Sequence, residues 1–167
     1  MEKKLKCAFT GHRIIKITKE LKDDIKKEII SLINKGVAEF LNGGALGFDL
    51  LCAQIVTELK KEYPIKLKMI LPCKDQSARW NESQKLYYEE ILYKADEIKY
   101  IADSYEPGCM QRRNKELICE CDYLLSYCMR ESGGSYNTVK EAKKAGKTVI
   151  NLSKNCQNGE KNGENFF

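Results

Sequence analysis

The stretch LNGGALGFDLL, residues 41–51, contains the feature that decides the fold: an apolar, strand-like run ends in a glycine-rich turn, and a helical pattern begins at once. Glycine permits backbone conformations that other residues avoid, so three glycines here predict a sharp turn between a strand and a helix. In α/β domains such turns lie at the carboxyl edge of the sheet, where ligands bind. The stretch is therefore interpreted as both a turn and a candidate binding loop.

The same alternation of strand and helix extends along the chain. Strand-like apolar runs occur at residues 5–10, 38–42, 65–71, 98–101, 123–128 and 148–152. Helical stripes lie between them, and one consists of Leu21, Ile25, Ile29, Leu32 and Ile33. Because the connections are long enough to hold helices, the pattern predicts an α/β, Rossmann-like, doubly wound fold, with a mostly parallel sheet and helices on both faces.

The composition fits one compact domain. The chain has 167 residues, 43% of them hydrophobic, which is enough to form a core without disulfides or a structural metal. We place a single domain at residues 1–152 and predict a flexible C-terminal tail at residues 153–167, which are rich in Asn, Lys, Glu and Gly.

Charge and hydropathy limit the classes of partner. The net charge of +5 allows an anionic ligand but does not require nucleic acid. No apolar run approaches the ~20 residues that a membrane span needs, and residues 1–6 do not resemble the start of a signal peptide. We therefore expect a cytoplasmic protein with no membrane partner.

The cysteines do not indicate a metal site. There are eight, with no Cys-x-x-Cys pair, and the chain has a single histidine, His12. Cys119 and Cys121 are two residues apart, so on a helix they face different directions. We predict reduced, mostly buried thiols, no metal and no required cofactor.

The first candidate turn, Thr10-Gly11-His12-Arg13, follows the first strand. Gly11 allows a sharp bend and close approach of a ligand, and the guanidinium of Arg13 suits phosphate or carboxylate. The alternative is a plain turn with a solvated arginine. For His12, a hydrogen-bonded structural role is favoured over acid or base catalysis.

The second candidate turn contains Gly43, Gly44 and Gly47, followed by Asp49 in the first turn of a helix. The glycines predict backbone N–H groups that converge on a phosphate or ribose. Asp49 has two interpretations: it stabilises the positive end of the helix, or it accepts hydrogen bonds from a sugar hydroxyl. The turn matches neither G-x-G-x-x-G nor a Walker P-loop.

The third candidate turn, with Gly133, Gly134, Ser135 and Thr138, follows the fifth strand. Its position before a helix predicts that it holds another part of the same ligand. Ser135 or Thr138 could instead cap the helix.

Two further segments carry residues suited to a ligand. Of the adjacent Arg112 and Arg113, followed by Asn114, at most one arginine is expected to point into a site, because neighbours on a helix do not share a face. Residues 76–88 contain Arg79, Trp80 and tyrosines that could stack on a base, although aromatic residues at helical spacing are more often core.

The three turns would form one site only under a particular strand order. If the first strand is central, with the second on one side and the fifth on the other, a crevice opens beside it and all three turns line it. The sequence alone does not give the strand order.

Taken together, these residues resemble the YpsA-like family of the SLOG superfamily. The resemblance covers residues 5–152. It is carried by these motifs: Thr10-Gly11-His12-Arg13, Gly43-Gly44-x-x-Gly47-x-Asp49, Arg113-Asn114 and Gly133-Gly134-x-x-x-Thr138. The resemblance implies a Rossmann-like fold that binds a nucleotide or nucleotide derivative. The superfamily extends to Lonely Guy-type phosphoribohydrolases and to DNA-processing protein A, which binds single-stranded DNA.

The phosphoribohydrolase motif is only partly present. Of its pattern P-G-G-x-G-T-x-x-E, Thr138 and Glu141 match, whereas Ser135 and Asn137 replace two glycines. The resemblance makes Glu141 the candidate catalytic residue, but the altered stretch counts against an enzyme.

The leading hypothesis is thus a small-molecule binding protein. We expect a nucleotide-like ligand of the ADP-ribose or NAD type, with a sensing or regulatory use. The first alternative is N-glycosidic cleavage of a nucleoside monophosphate, and single-stranded DNA binding ranks lowest. The sequence leaves open whether the protein forms a homo-oligomer.

Overall fold

The computed structural model describes residues 3–153, in which strands and helices alternate. The elements are β1 (Leu5–Gly11), α1 (Lys19–Asn34), β2 (Val37–Asn42), α2 (Phe48–Leu59), β3 (Lys66–Cys73), α3 (Glu82–Lys94), β4 (Glu97–Ala102), α4 (Cys109–Glu120), β5 (Tyr123–Tyr127), α5 (Gly134–Lys144) and β6 (Thr148–Asn151). Each of the six predicted strands is present. The predicted tail, apart from Ser153, lies outside the described residues.

The strands form one six-stranded sheet in the order β4-β3-β2-β1-β5-β6, and every pairing is parallel. The predicted Rossmann-like α/β fold is confirmed. β1 is central, with β2 on one side and β5 on the other, so the direction of winding reverses beside β1. This is the strand order that the prediction of a crevice beside β1 required.

The helices cover both faces of the sheet and enclose two hydrophobic clusters. Alternate residues of a strand point to opposite faces, so Phe9 enters one cluster and Ala8 the other. The larger cluster lies under α1, α2 and α3, and the smaller lies under α4 and α5. The face of the sheet that is covered by α4 and α5 therefore has the smaller hydrophobic cluster.

Local signals in the sequence account for the starts of two helices. The Thr18 side chain accepts a hydrogen bond of 3.1 Å from the Leu21 amide at the start of α1. The predicted apolar stripe of α1 is buried except for Ile33, which is partly buried. A capping box between Asn81 and Gln84 begins α3. Trp80 packs edge-on against the buried Tyr88, with ring centroids 5.0 Å apart, so these two aromatic residues form core contacts.

The described cysteines follow the prediction of reduced and mostly buried thiols. Seven are free; six of these are buried and Cys119 is exposed. Burial raises the pKa of the Cys52 thiol well above its usual value. Within residues 3–153, no helix is long and apolar enough to cross a membrane.

Candidate functional site

A cleft of about 880 Å³ opens at the carboxyl end of β1, between the turn after β1, the loop before α5, and helices α4 and α5. The predicted site residues that line it are Thr10, Gly11, His12, Arg13, Asp49, Arg113, Asn114, Gly133, Gly134, Ser135 and Thr138, together with Glu141. Gly43, Gly44 and Gly47 are not among the lining residues.

The turn after β1 is fixed by contacts on both sides. A Cβ atom on Gly11 would lie 2.5 Å from the ring of Phe48, so this position requires glycine. The backbone of His12 donates to the Tyr127 carbonyl at 3.3 Å and accepts from the Phe48 amide at 3.1 Å. The turn is therefore joined to both β5 and the start of α2.

The imidazole of His12 is part of the same framework. Its Nε2 atom accepts a hydrogen bond of 2.8 Å from the Met129 amide, which lies 117 residues away in sequence. Burial lowers the pKa of His12, and the positive charge of Arg130 lowers it further. These contacts fit the structural, hydrogen-bonded role that the sequence favoured.

The second glycine turn is used for packing. A Cβ atom on Gly47 would overlap the Arg13 carbonyl, and φ of 84° disfavours other residues there. The amide of Gly44 donates to Asn42 Oδ1 at 2.8 Å, and the Gly43 carbonyl accepts from Arg113 Nη1 at 2.6 Å. The Gly44 amide, which we predicted to face a ligand, is thus occupied inside the protein.

Sequence reasoning missed Asn42, which holds this turn together. The side chain is fully buried, and its Nδ2 atom donates to the Asp49 carbonyl at 2.7 Å while Oδ1 binds the Gly44 amide. An asparagine at the end of an apolar strand, directly before two glycines, was the available signal. By closing the turn, Asn42 sets the position of Asp49.

Asp49 and Arg113 are buried polar residues at the cleft, with 6% of each exposed. Burial raises the pKa of the Asp49 carboxyl to about 7, although the positive charge of Arg113 and the Ala45 amide lower it. Asp49 Oδ1 is buried without a hydrogen-bond partner in the part of the chain described. An acceptor left unpaired in this way is costly unless a ligand or water donates to it.

The guanidinium of Arg113 joins α4 to the turn after β2. Nη1 donates to Gly43, and Nε donates to Asn114 Oδ1 at 2.7 Å. Arg112 instead points to solvent and pairs with Glu106 at 3.0 Å. As predicted from helix geometry, only one of the adjacent arginines lines the cleft.

The third glycine turn is open to the cleft. Cβ atoms placed on Gly133 and Gly134 would meet no described atom within 4 Å. Gly133 is the N-cap of α5, and among the described residues no side chain caps this helix. The Thr138 hydroxyl donates to the Gly134 carbonyl at 2.9 Å, so Thr138 does not act as the cap. The first turn of α5 thus lines the cleft without a side-chain cap among the described residues.

Charge around the cleft favours an anion. Its lining contains four cationic side chains and two carboxylates, namely Arg13, Arg113, Lys115 and Arg130 against Asp49 and Glu141. Sequence reasoning missed Lys115 and Arg130, which belong to no motif. The Glu141 carboxylate is 59% exposed and lies 3.8 Å from Lys144 Nζ.

Fold and cleft together define a class: a Rossmann-like α/β domain with its candidate site at the topological switch point of a parallel sheet. Residues 9–153 match the profile of the YspA SLOG family. The chain belongs to this family.

Two curated relatives extend the match. The UPF0398 protein of Listeria monocytogenes serotype 4a (strain HCC23) is 36% identical over 129 residues, which cover 74% of this chain and 71% of the relative. The UPF0398 protein of Bacillus pumilus (strain SAFR-032) is 36% identical over 126 residues, covering 73% of this chain and 68% of the relative.

Solved structures share the fold. DNA processing protein A from Helicobacter pylori, described for its single-stranded DNA binding mode, aligns with a TM-score of 0.62 at 23% identity, covering 87% of this chain and 63% of that protein. TM1055 aligns with a TM-score of 0.56 at 18% identity, covering 92% of this chain and 81% of that protein.

Proposed function

We propose that this protein binds a phosphorylated nucleoside derivative of the ADP-ribose or NAD type in the cleft, and that it does so as a cytoplasmic sensor or regulator. The observation that carries the proposal is a pair of complementary features in one cleft. The uncapped start of α5 favours an anion, and the unpartnered Asp49 Oδ1 requires a donor.

The phosphate end of the ligand belongs at α5. The first amides of a helix lack partners within the helix, and the helix dipole favours negative charge there. Gly133 and Gly134 have no side chains to obstruct a phosphate, and Ser135 contributes a hydroxyl to the lining. Arg13 and Arg130 line the same cleft and supply positive charge.

The sugar belongs at Asp49. A ribose hydroxyl is a neutral donor that satisfies Oδ1 without placing a second charge beside the buried Arg113. When ionised, Asp49 accepts from a hydroxyl at Oδ1, and when protonated its carboxyl presents one O–H donor. Because the pKa of Asp49 is raised to about 7, the balance between these two forms changes near neutral pH. Ribose binding is expected to change with pH near neutrality.

Calorimetry with AMP, ADP-ribose and NAD tests this assignment. The Arg130→Gln variant should weaken binding about tenfold, since loss of a charge-assisted hydrogen bond costs at least ~1.5 kcal/mol. Arg112→Gln is the matched control, because Arg112 is exposed and does not line the cleft. Failure of all three nucleotides to bind, or equal weakening by both variants, would contradict the proposal.

One observation favours an enzymatic alternative, the hydrolysis of a nucleoside monophosphate to free base and ribose phosphate. Glu141 lines the cleft and could stabilise a developing ribosyl cation. Its exposure and its contact with Lys144 argue for a solvated carboxylate. Release of base from AMP by the wild type, abolished in Glu141→Gln, would establish this activity.

Single-stranded DNA binding is supported only by the fold shared with DNA processing protein A. Retention of an oligonucleotide that falls steeply with salt would favour it. Displacement of the oligonucleotide by ADP-ribose would place both ligands in the same cleft.

A further inference from the structure

The cleft continues past the glycine turns into a groove between α4 and α5. On α4 its lining includes Lys115, Ile118 and Cys119, and on α5 it includes Glu141 and Ala145. Their spacing of three or four residues places each set on one face of its helix. Two helix faces thus form the walls of one continuous groove.

The groove is long compared with the site at its mouth. Ala145, the C-cap of α5, lies eleven positions after Gly134, and at about 1.5 Å per residue this is roughly 16 Å along the helix. The volume of about 880 Å³ is near the upper end of the usual range for small-molecule sites. A nucleoside monophosphate held by its phosphate at α5 and by its ribose at Asp49 leaves the far part of the groove empty.

We propose that the α4–α5 groove is a second subsite, which accepts the distal unit of a ligand with two sugar or nucleoside units joined by a diphosphate. This inference rests on the proposed function, because it takes the phosphate position from it. The half-buried side chain of Ile118 offers an apolar surface to a base or sugar ring. Lys115 and Glu141, both exposed, provide a donor and an acceptor for hydroxyls and base edges.

The subsite predicts tighter binding of ADP-ribose than of AMP, which the turns alone do not predict. Contacts at α5 and Asp49 are the same for AMP and for ADP-ribose. Any additional affinity for ADP-ribose must therefore come from its second phosphate and distal ribose. If the groove binds that ribose, ADP-ribose should cover residues that AMP leaves accessible.

Cys119 makes the groove directly measurable. It lines the groove, and it is the one exposed cysteine in the described range. A Cys156→Ser background removes the remaining thiol outside that range. Alkylation of Cys119 by iodoacetamide, followed by intact mass, then reports whether the groove is occupied.

We expect ADP-ribose at ten times its Kd to slow alkylation of Cys119 about tenfold, while AMP at the same multiple of its own Kd changes the rate less than about twofold. Equal protection by both compounds, or by neither although both bind, overturns the subsite and leaves the proposed function standing. Protection by an oligonucleotide but not by ADP-ribose also overturns the subsite. Failure of AMP, ADP-ribose and NAD all to bind overturns the proposed function and the subsite with it.

A blocking variant supplies an independent measurement. Ala145→Trp fills the far end of the groove from an exposed position, and it should weaken ADP-ribose about tenfold without changing AMP. Lys143→Trp is the control, since Lys143 is exposed on the same helix but does not line the groove. Parallel loss of both ligands in Ala145→Trp, or equal loss of ADP-ribose in Lys143→Trp, contradicts the subsite.

Discussion

The turn after β2 and the turn before α5 look alike in sequence, since each places a pair of glycines between a strand and a helix. In the structure they differ. Gly43 and Gly44 are buried, and both are hydrogen-bonded inside the protein, whereas Gly133 and Gly134 are exposed and meet no described atom where a Cβ would lie. A glycine pair thus indicates a close approach of some kind, and its surroundings decide whether the approaching group is protein or ligand.

The largest expected effect comes from replacing one glycine of each turn with alanine, which adds a single methyl group. Gly47→Ala should destabilise the fold by about 4 kcal/mol or more, because the methyl overlaps the Arg13 carbonyl and φ is positive. Gly134→Ala should change stability by less than ~1 kcal/mol, since the space there is open. Urea unfolding midpoints compare them, and similar losses would remove the distinction between a packed turn and an open one.

A smaller effect is expected from removing the side chain that anchors the packed turn. Arg113→Ala removes the donor to the Gly43 carbonyl and the larger of the two positive charges that act on the Asp49 carboxyl, at a cost of about 3 kcal/mol. Arg112→Ala removes only an exposed ion pair and should cost less than ~1 kcal/mol. Equal unfolding free energies for the two variants would show that Arg113 does not anchor the turn.

Asp49 should make stability depend on pH. Its pKa is raised from 3.8 to about 7 in the folded state, so between these values the folded protein retains a proton that the unfolded chain has lost. Wild-type stability should therefore fall as the pH rises from 4 to 7. Asp49→Asn does not titrate, and at pH 8 its free energy of unfolding should exceed that of the wild type by up to about 4 kcal/mol, with the advantage disappearing toward pH 4.

The control for this titration is Asp23→Asn on the exposed surface of α1. Its difference from the wild type should stay within about 0.5 kcal/mol across the same range. An Asp49→Asn advantage that is constant with pH would mean that the carboxyl at position 49 is ionised normally.

The smallest expected effect concerns the open turn. Thr138→Val removes the hydrogen bond from the buried hydroxyl to the Gly134 carbonyl, which should cost about 1 kcal/mol. Thr138→Ser retains the hydroxyl and should restore part of the loss. Hydrogen exchange at the first turn of α5 should increase in Thr138→Val while the turn after β2 is unchanged; faster exchange at both would mean that the turns open together.

The sequence predicted the elements more completely than the use of each turn. The sequence predicted all six strands from apolar runs, and the signal is strongest in the inner strands, which are buried on both faces, whereas the edge strand β4 is mostly exposed. It also placed Asp49 in the first turn of a helix and excluded a shared face for Arg112 and Arg113, since both follow from helix geometry. Asn42, Lys115 and Arg130 were missed, because a single polar residue outside a motif carries no periodic signal.

By itself, then, the sequence determined the α/β alternation and the glycine turns through local spacing, and its motifs resembled those of the family. Tertiary structure decided that β1 is central, that Arg113 reaches Gly43 across 70 positions of sequence, and that the Gly44 amide is occupied while the start of α5 has no side-chain cap among the described residues. The physical reason is that a backbone N–H donates equally well to a protein acceptor and to a ligand acceptor. Whether it is available to a ligand depends on partners that only folding brings within hydrogen-bonding distance.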